Sequence, residues 1–180
     1  MLRWAKRLVA LLWISGTVWA AAGSGVWLDV PFIQQEKNGC GAASIAMVMQ
    51  YWQRQQGHPP NADAAEIQRT LYSSEGHGIY ASDLEKYFQQ HGFRTFAFRG
   101  EWNDLKDHLA KGRPLIVALK PGRGPLHYVV VAGVDWEQGV VLANDPAERK
   151  LLKSDRSSFE KEWKAAGNWT LLAVPQSASS

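Results

Sequence analysis

The 180-residue chain holds one cysteine, Cys40, and its setting suits a nucleophile. It follows Asn38-Gly39 and precedes Gly41, where an extended loop gives way to a helix-patterned stretch. A helix N-terminus favours a thiolate through its free N–H groups and its macrodipole. An inert, packed thiol would more often sit inside an apolar run. The flanking glycines are expected to keep side chains out of a substrate's way. A thiol nucleophile needs a base within hydrogen-bond reach. Of the five histidines, His58 lies in a His-Pro-Pro turn, His77 between glycines, and His91 and His108 near helix ends. His127 differs, because it opens the most apolar strand-like run of the chain, His127 to Val134. Such a strand is central and rigid, and its first residue is held in place.

The base in turn needs an orienting group, usually Asp or Asn. The run Val140 to Asn144 ends in Asn144-Asp145-Pro146. If Asp135 to Gly139 is a hairpin turn, residues near 145 return alongside residues 127–130. Asp145 or Asn144 then reaches the far ring nitrogen of His127. Asn-Asp-Pro also makes ordinary turns, but beside Cys40 and His127 the assignment falls on Asp145. A developing oxyanion needs a donor as well. Gln34 and Gln35 stand six and five residues before Cys40, and either side-chain amide could join the Cys40 N–H.

The elements that must position these groups are legible in the pattern. Val26 to Phe32 reads as extended. Cys40 to Arg54 reads as a helix, with Ala42, Ile45, Ala46, Met49 and Trp52 on one face. Gly57-His58-Pro59-Pro60 breaks it. Asp63 to Tyr72 is a second helix. After the Gly76-His77-Gly78 loop, Ser82 to Glu85 has capping-box spacing and opens a third helix ending near His91-Gly92. Phe93 to Phe98 reads as a strand and Asp104 to Lys111 as a short helix. Strands then dominate: Pro114 to Lys120, His127 to Val134, Val140 to Asn144, Lys150 to Lys153 and Trp169 to Val174, with a helix over Ser157 to Ala165. Helices first and meandering strands second give an α+β fold with a largely antiparallel sheet.

Composition narrows the partners. The formal charge of +3 suggests a polyanion. Setting aside Arg3, Lys6 and Arg7 leaves 17 basic and 17 acidic residues, so no basic stripe remains for nucleic acid. Those three charges precede an apolar run, Leu8 to Ala22, and a small-residue exit, Ala20 to Gly25. This is the three-part pattern of a secretory signal peptide over residues 1–22. Cleavage is expected after Ala20 or Ala22, with an uncleaved membrane anchor as the alternative. Residues 23–175 form the working domain and residues 176–180 a loose tail. The product is expected to be exported, periplasmic or extracellular, and to touch the membrane only if the leader is retained. A single cysteine excludes an intramolecular disulfide and a multi-thiolate zinc site. No metal or organic cofactor is called for.

Taken together, Val30-Pro31-Phe32-Ile33-Gln34, Gly39-Cys40-Gly41-Ala42-Ala43, His127-Tyr128-Val129-Val130-Val131 and Asn144-Asp145-Pro146 resemble the bacteriocin-leader-processing cysteine peptidases, peptidase family C thirty-nine. Gly78 to Leu84 and Phe159 to Trp163 extend the resemblance over nearly all of the exported segment. It implies a papain-like fold and a cysteine endopeptidase. By the same resemblance Cys40 is the nucleophile, His127 the general base and then acid, and Asp145 the orienting group. Gln34, which has the family's spacing to the cysteine, is the oxyanion side chain. The implied partner is a protein or peptide substrate, with a glycine-rich leader as a lead. Two departures stand out. Gly39 replaces the Asp that many members carry before the cysteine, which is expected to alter loop stability more than chemistry. An export signal also stands where many relatives have a fused transporter. A standalone exported member is therefore expected. The alternatives are an amidase or acyltransferase of the same fold, and a non-catalytic peptide-binding module.

Overall fold

The computed structural model describes residues 25–176. The signal-peptide assignment and residues 177–180 of the tail lie outside the described residues. The elements run β1 (Gly25–Trp27), α1 (Cys40–Gln55), α2 (Ala64–Leu71), α3 (Ala81–Gln90), β2 (Phe93–Arg99) and α4 (Trp102–Ala110). They continue with β3 (Leu115–Leu119), β4 (His127–Asp135), β5 (Val140–Asn144), β6 (Leu152–Asp155), α5 (Arg156–Ala165) and β7 (Trp169–Pro175).

The strands form one antiparallel sheet in the order β2-β7-β3-β4-β5-β6. β4 is the hub. Its first half pairs with β3 and its last residues with β1, while β5 runs along its other side. Successive residues of a strand face opposite sides of the sheet, and β4 shows the consequence. Tyr128, Val130 and Ala132 pack against α1, α2 and α3, whereas Val129 and Val131 pack against Leu105 and Leu109 of α4 and Trp163 of α5. With helices on both faces, the strand is apolar at every position rather than at alternate ones. That is why His127 to Val134 reads as an unbroken apolar run.

The structure differs from the sequence reading in four local respects. Ser82 to Glu85 does not form a capping box: α3 starts at Ala81, and its N-cap, Tyr80, makes no side-chain cap. The capping box lies on α4, where Glu101 and Asp104 exchange hydrogen bonds and move the start back to Trp102. β1 is only three residues long, because β4 has free edge for it only at residues 133–135. β6 begins at Leu152 because Leu151, with φ 52°, breaks the extended backbone just before it.

Candidate active site

α1 brings Cys40 to the end of the sheet where β4 begins and β5 finishes. The N-cap of α1, Gly39, has no side chain to cap with, and the first turn has no acid. The first N–H groups of the helix thus stay free for other acceptors. Cys40 uses one of them: its sulfur accepts from the Gly41 N–H and also from the Tyr128 N–H at the start of β4.

His127 sits beside it, hydrogen-bonded to the Cys40 sulfur. Its Nε2 lies 2.7 Å from Asp145 Oδ1. Nε2 is thereby occupied, which leaves Nδ1 for the thiol. The two side chains keep only 19% and 13% of their exposure. The sheet explains why Asp145 rather than Asn144 reaches the imidazole. Val130 pairs with Asn144, so the register continued by one residue sets Asp145 opposite Val129. Asp145 is then on the same face as His127 and diagonal to it, a separation that long side chains bridge. Asn144 faces the other way and is fully buried. Its Nδ2 donates to the carbonyls of Val30 and Pro31, and its Oδ1 accepts from the Leu151 N–H. Asn144 therefore anchors the loop that leads to Gln34.

Burial and partners act against each other on all three groups. Burial pushes the Cys40 thiol up, but the hydrogen bond and charge of His127 and the Tyr128 and Gly41 N–H groups outweigh it and hold it below the ordinary thiol value. Burial pushes His127 down, but Asp145 and Cys40 outweigh it and raise the imidazolium to about 9. Burial likewise raises Asp145, and His127 together with the Ala147 and Glu148 N–H groups brings it below the usual carboxylate range. The opposed shifts of Cys40 and His127 favour the thiolate–imidazolium pair over the neutral thiol and imidazole. Such a pair can attack a carbonyl carbon and protonate the leaving group from the same imidazole.

Gln34 and Gln35 are turned differently. The Gln35 N–H donates to the Pro146 carbonyl at 2.9 Å, which ties the loop to the end of β5. The Gln35 side chain points inward, and its Oε1 is closed off from solvent. Gln34 is exposed and lines a cleft beside Gly39. The remaining histidines are engaged elsewhere or lie at the surface. His91 stacks on Tyr87 and bonds its carbonyl, and His108 packs on Phe98, where burial depresses its pKa. His58 and His77 are exposed. Among the described residues no group of three or more His, Cys, Asp and Glu could hold a metal ion, and no helix is long and apolar enough to cross a membrane.

The flanking glycines serve packing rather than substrate access. Both are buried. A Cβ on Gly41 would lie 3.1 Å from Ile79 Cβ, and one on Gly39 would lie 3.0 Å from the Glu36 carbonyl oxygen. A side chain such as Asp at residue 39 therefore needs a differently shaped loop. Sequence reasoning also missed the Tyr128 N–H and the anchoring role of Asn144. The first is a backbone group and leaves no trace in residue type. The second could have been found from the strict alternation along β5.

An α+β fold with a cysteine at a helix start and an antiparallel sheet opposite it is that of papain-like cysteine peptidases. The Peptidase_C39 like family matches residues 27–171, and the chain belongs to it as a cysteine peptidase, a hydrolase. It is 32% identical over 145 residues to the transport/processing ATP-binding protein ComA of Streptococcus pneumoniae. That match covers 79% of this chain and 18% of the relative, so the chain spans under a fifth of that protein's length. Among solved structures it resembles a C39-like peptidase from Bacillus anthracis (21% identity, TM-score 0.67, 85% of this chain and 98% of the other). It also resembles a double glycine motif protease from an AMS/PCAT transporter in complex with the leader peptide (24% identity, TM-score 0.66, 84% and 95%). At these identities the likeness speaks for the fold.

Proposed function

We propose that the chain is an exported cysteine endopeptidase in which Cys40, His127, Asp145 and Gln34 carry the reaction. The observation that carries this reading is the hydrogen-bonded chain from the Cys40 sulfur through His127 to Asp145, with its 2.7 Å Nε2–Oδ1 contact. The Cys40 thiolate attacks the scissile carbonyl carbon. The oxyanion is met by the Cys40 N–H and the Gln34 side-chain amide. His127 delivers its proton to the leaving amine, and the thioester is then hydrolysed by water that His127 deprotonates. Asp145 keeps the imidazole in the required tautomer and stabilises its cation throughout.

The substrate is a protein or peptide, and a glycine-rich leader is the first class to try. Family membership and the leader-bound double glycine protease support that choice. The basic, apolar and small-residue pattern of residues 1–22 supports export. Cell fractionation tests the location: recovery in the cytoplasm with residues 1–22 intact would refute it. Cys40→Ala should remove turnover, by roughly six orders of magnitude in kcat on the scale of other nucleophile deletions. Circular dichroism should show the fold retained. The inactive variant, used as a trap with mass spectrometry of the captured species, identifies the substrate. Retained cleavage by Cys40→Ala would overturn the assignment.

A further inference from the structure

Residues 32–34 lead to the nucleophile loop with little of their own to hold them. Among the described residues no backbone–backbone hydrogen bond reaches any of the three. Their course is set by what grips the chain on either side. Upstream, Asn144 Nδ2 donates to the Val30 carbonyl at 3.1 Å and to the Pro31 carbonyl at 3.3 Å. Downstream, the Gln35 N–H donates to the Pro146 carbonyl at 2.9 Å. Both grips come from one stretch, Asn144 to Pro146, whose middle residue holds His127. Gln34 lies between them, three residues past Pro31 and one before Gln35.

Asn144 is the unusual member of that stretch. It is fully buried at the end of β5, where an apolar side chain would cost less to bury. Only its hydrogen bonds set an amide apart from a leucine of similar size at that place. They use the amide in one orientation. The Leu151 N–H occupies Oδ1 at 3.0 Å, so Nδ2 must face the two carbonyls. A buried polar group satisfied at both ends specifies one arrangement of its neighbours. Asn144 thereby fixes the Val30-Pro31 peptide against the end of β5. A donor serves an oxyanion over about 2.7–3.1 Å, so a small shift of residues 32–34 is enough to disengage Gln34.

We propose that Asn144 is a positioning residue for the reaction: its buried amide, acting through Val30 and Pro31, holds Gln34 in register with the Cys40 N–H. The proposal rests on the reading of Gln34 as the oxyanion side chain and adds what keeps it in place. It gives three consecutive residues two roles on one backbone. Asp145 holds the imidazole, while Asn144 and the Pro146 carbonyl hold the oxyanion arm, so the base and the oxyanion donor are aligned with each other.

The test is a double-mutant cycle, read with a fluorogenic peptide that carries two glycines before the scissile bond. Gln34→Ala should lower kcat by roughly two to three orders of magnitude, the scale of a lost oxyanion donor. Asn144→Leu, which keeps the side-chain volume, should lower kcat by about tenfold or more and leave KM within about twofold, because the oxyanion forms only after binding. In the double variant kcat should match that of Gln34→Ala alone, since Asn144 acts through Gln34. The alkaline limb of the Asn144→Leu pH–rate profile, where His127 loses its proton, should stay where the parent has it. Losses that multiply, or a limb that moves, would mean that Asn144 serves the fold at large or His127, and would overturn the inference. A Gln34→Ala protein as active as the parent would strike the oxyanion reading and the inference with it. Absence of all Cys40-dependent cleavage would count against the peptidase reading, and the placement is then read without turnover. Asn144→Leu should shift the NMR signals of the Gln34 side-chain amide and speed hydrogen exchange at the Gln35 N–H by about tenfold or more, with the His127 ring signals unmoved. Unchanged Gln34 and Gln35 signals would overturn the inference. Asn144→Ser takes the place of Asn144→Leu if the latter does not fold. The parent protein gives a check that needs no variant: a Gln35 N–H that exchanges as fast as that of exposed Lys37 would equally overturn it.

Discussion

The sheet carries a helix layer on each face, and the two layers are packed alike but end differently. On one face α4 and α5 bury Leu105, Leu109, Phe159 and Trp163 against Val129 and Val131. On the other, α1 to α3 bury Ile45, Met47, Leu84 and Phe88 against Tyr128 and Val130. All of these side chains are at most 7% exposed. The difference lies at a helix start. α5 is closed by Asp155, whose side chain accepts from the Ser158 N–H and whose carboxyl is held low by its Ser157 and Ser158 hydrogen bonds. α1 has no side-chain cap and turns the Gly41 N–H toward the Cys40 sulfur instead. Dense packing therefore does not mark the face that holds the proposed site. What marks it is a helix start without a side-chain cap, at the end of the sheet where β4 and β5 bring an imidazole and a carboxylate together.

That contrast can be broken at either face. After loss of the thiol itself, the largest effect belongs to Asp145→Ala, which should lower kcat/KM by roughly two to four orders of magnitude, the range for positioned acid–base groups. It also tests the electrostatics. In the parent protein activity should rise as Cys40 ionises below the ordinary thiol value and fall as His127 loses its proton at about 9. Without Asp145 His127 loses a hydrogen bond and a charge that raise it while its burial remains, so the alkaline limb should move to lower pH, as read from pH–rate profiles and histidine NMR titration. An unmoved limb would separate Asp145 from the imidazole. The stability linkage has the matching sign. Because His127 is raised when folded, its contribution is complete below about 6.5 and fades as pH rises through about 9.

The next effect is on the opposite face. Trp163→Ala should cost about 3–5 kcal/mol in urea unfolding while leaving the alkaline limb in place in the folded fraction. A shifted limb would mean that the two faces are coupled through β4. The smallest effect is expected at the surface of α5. Arg156 and Glu160, 3.0 Å apart and about half exposed, should contribute no more than about 0.5 kcal/mol. A double-mutant cycle in urea reads that term, and salt should reduce it.

Much of this was legible before any coordinates. The apolar run after His127, the Asn-Asp-Pro after Val140 to Asn144 and the glycine-flanked cysteine each mark one component, and the hairpin at Asp135 to Gly139 lies where the turn residues put it. What eluded the sequence is local geometry. The box spacing at Ser82 to Glu85 is a real pattern, but Tyr80 takes the N-cap because helix starts depend on how the preceding loop packs. The glycines beside Cys40 read as open space and are in fact covered, since burial by Ile79 and Glu36 is a tertiary property.

The sequence alone determined which groups could react and on which kinds of element they sit, because thiol, imidazole and carboxylate are residue identities and helix and strand are local periodicities. Tertiary structure set Asp145 rather than Asn144 against His127, and it left Gln34 exposed while closing off the Gln35 side-chain oxygen. It also made the partners of the thiolate outweigh the cost of burying it. Those outcomes depend on sheet register, on the face a side chain takes and on the dielectric around a buried charge. All three arise only when segments distant in sequence close on one another.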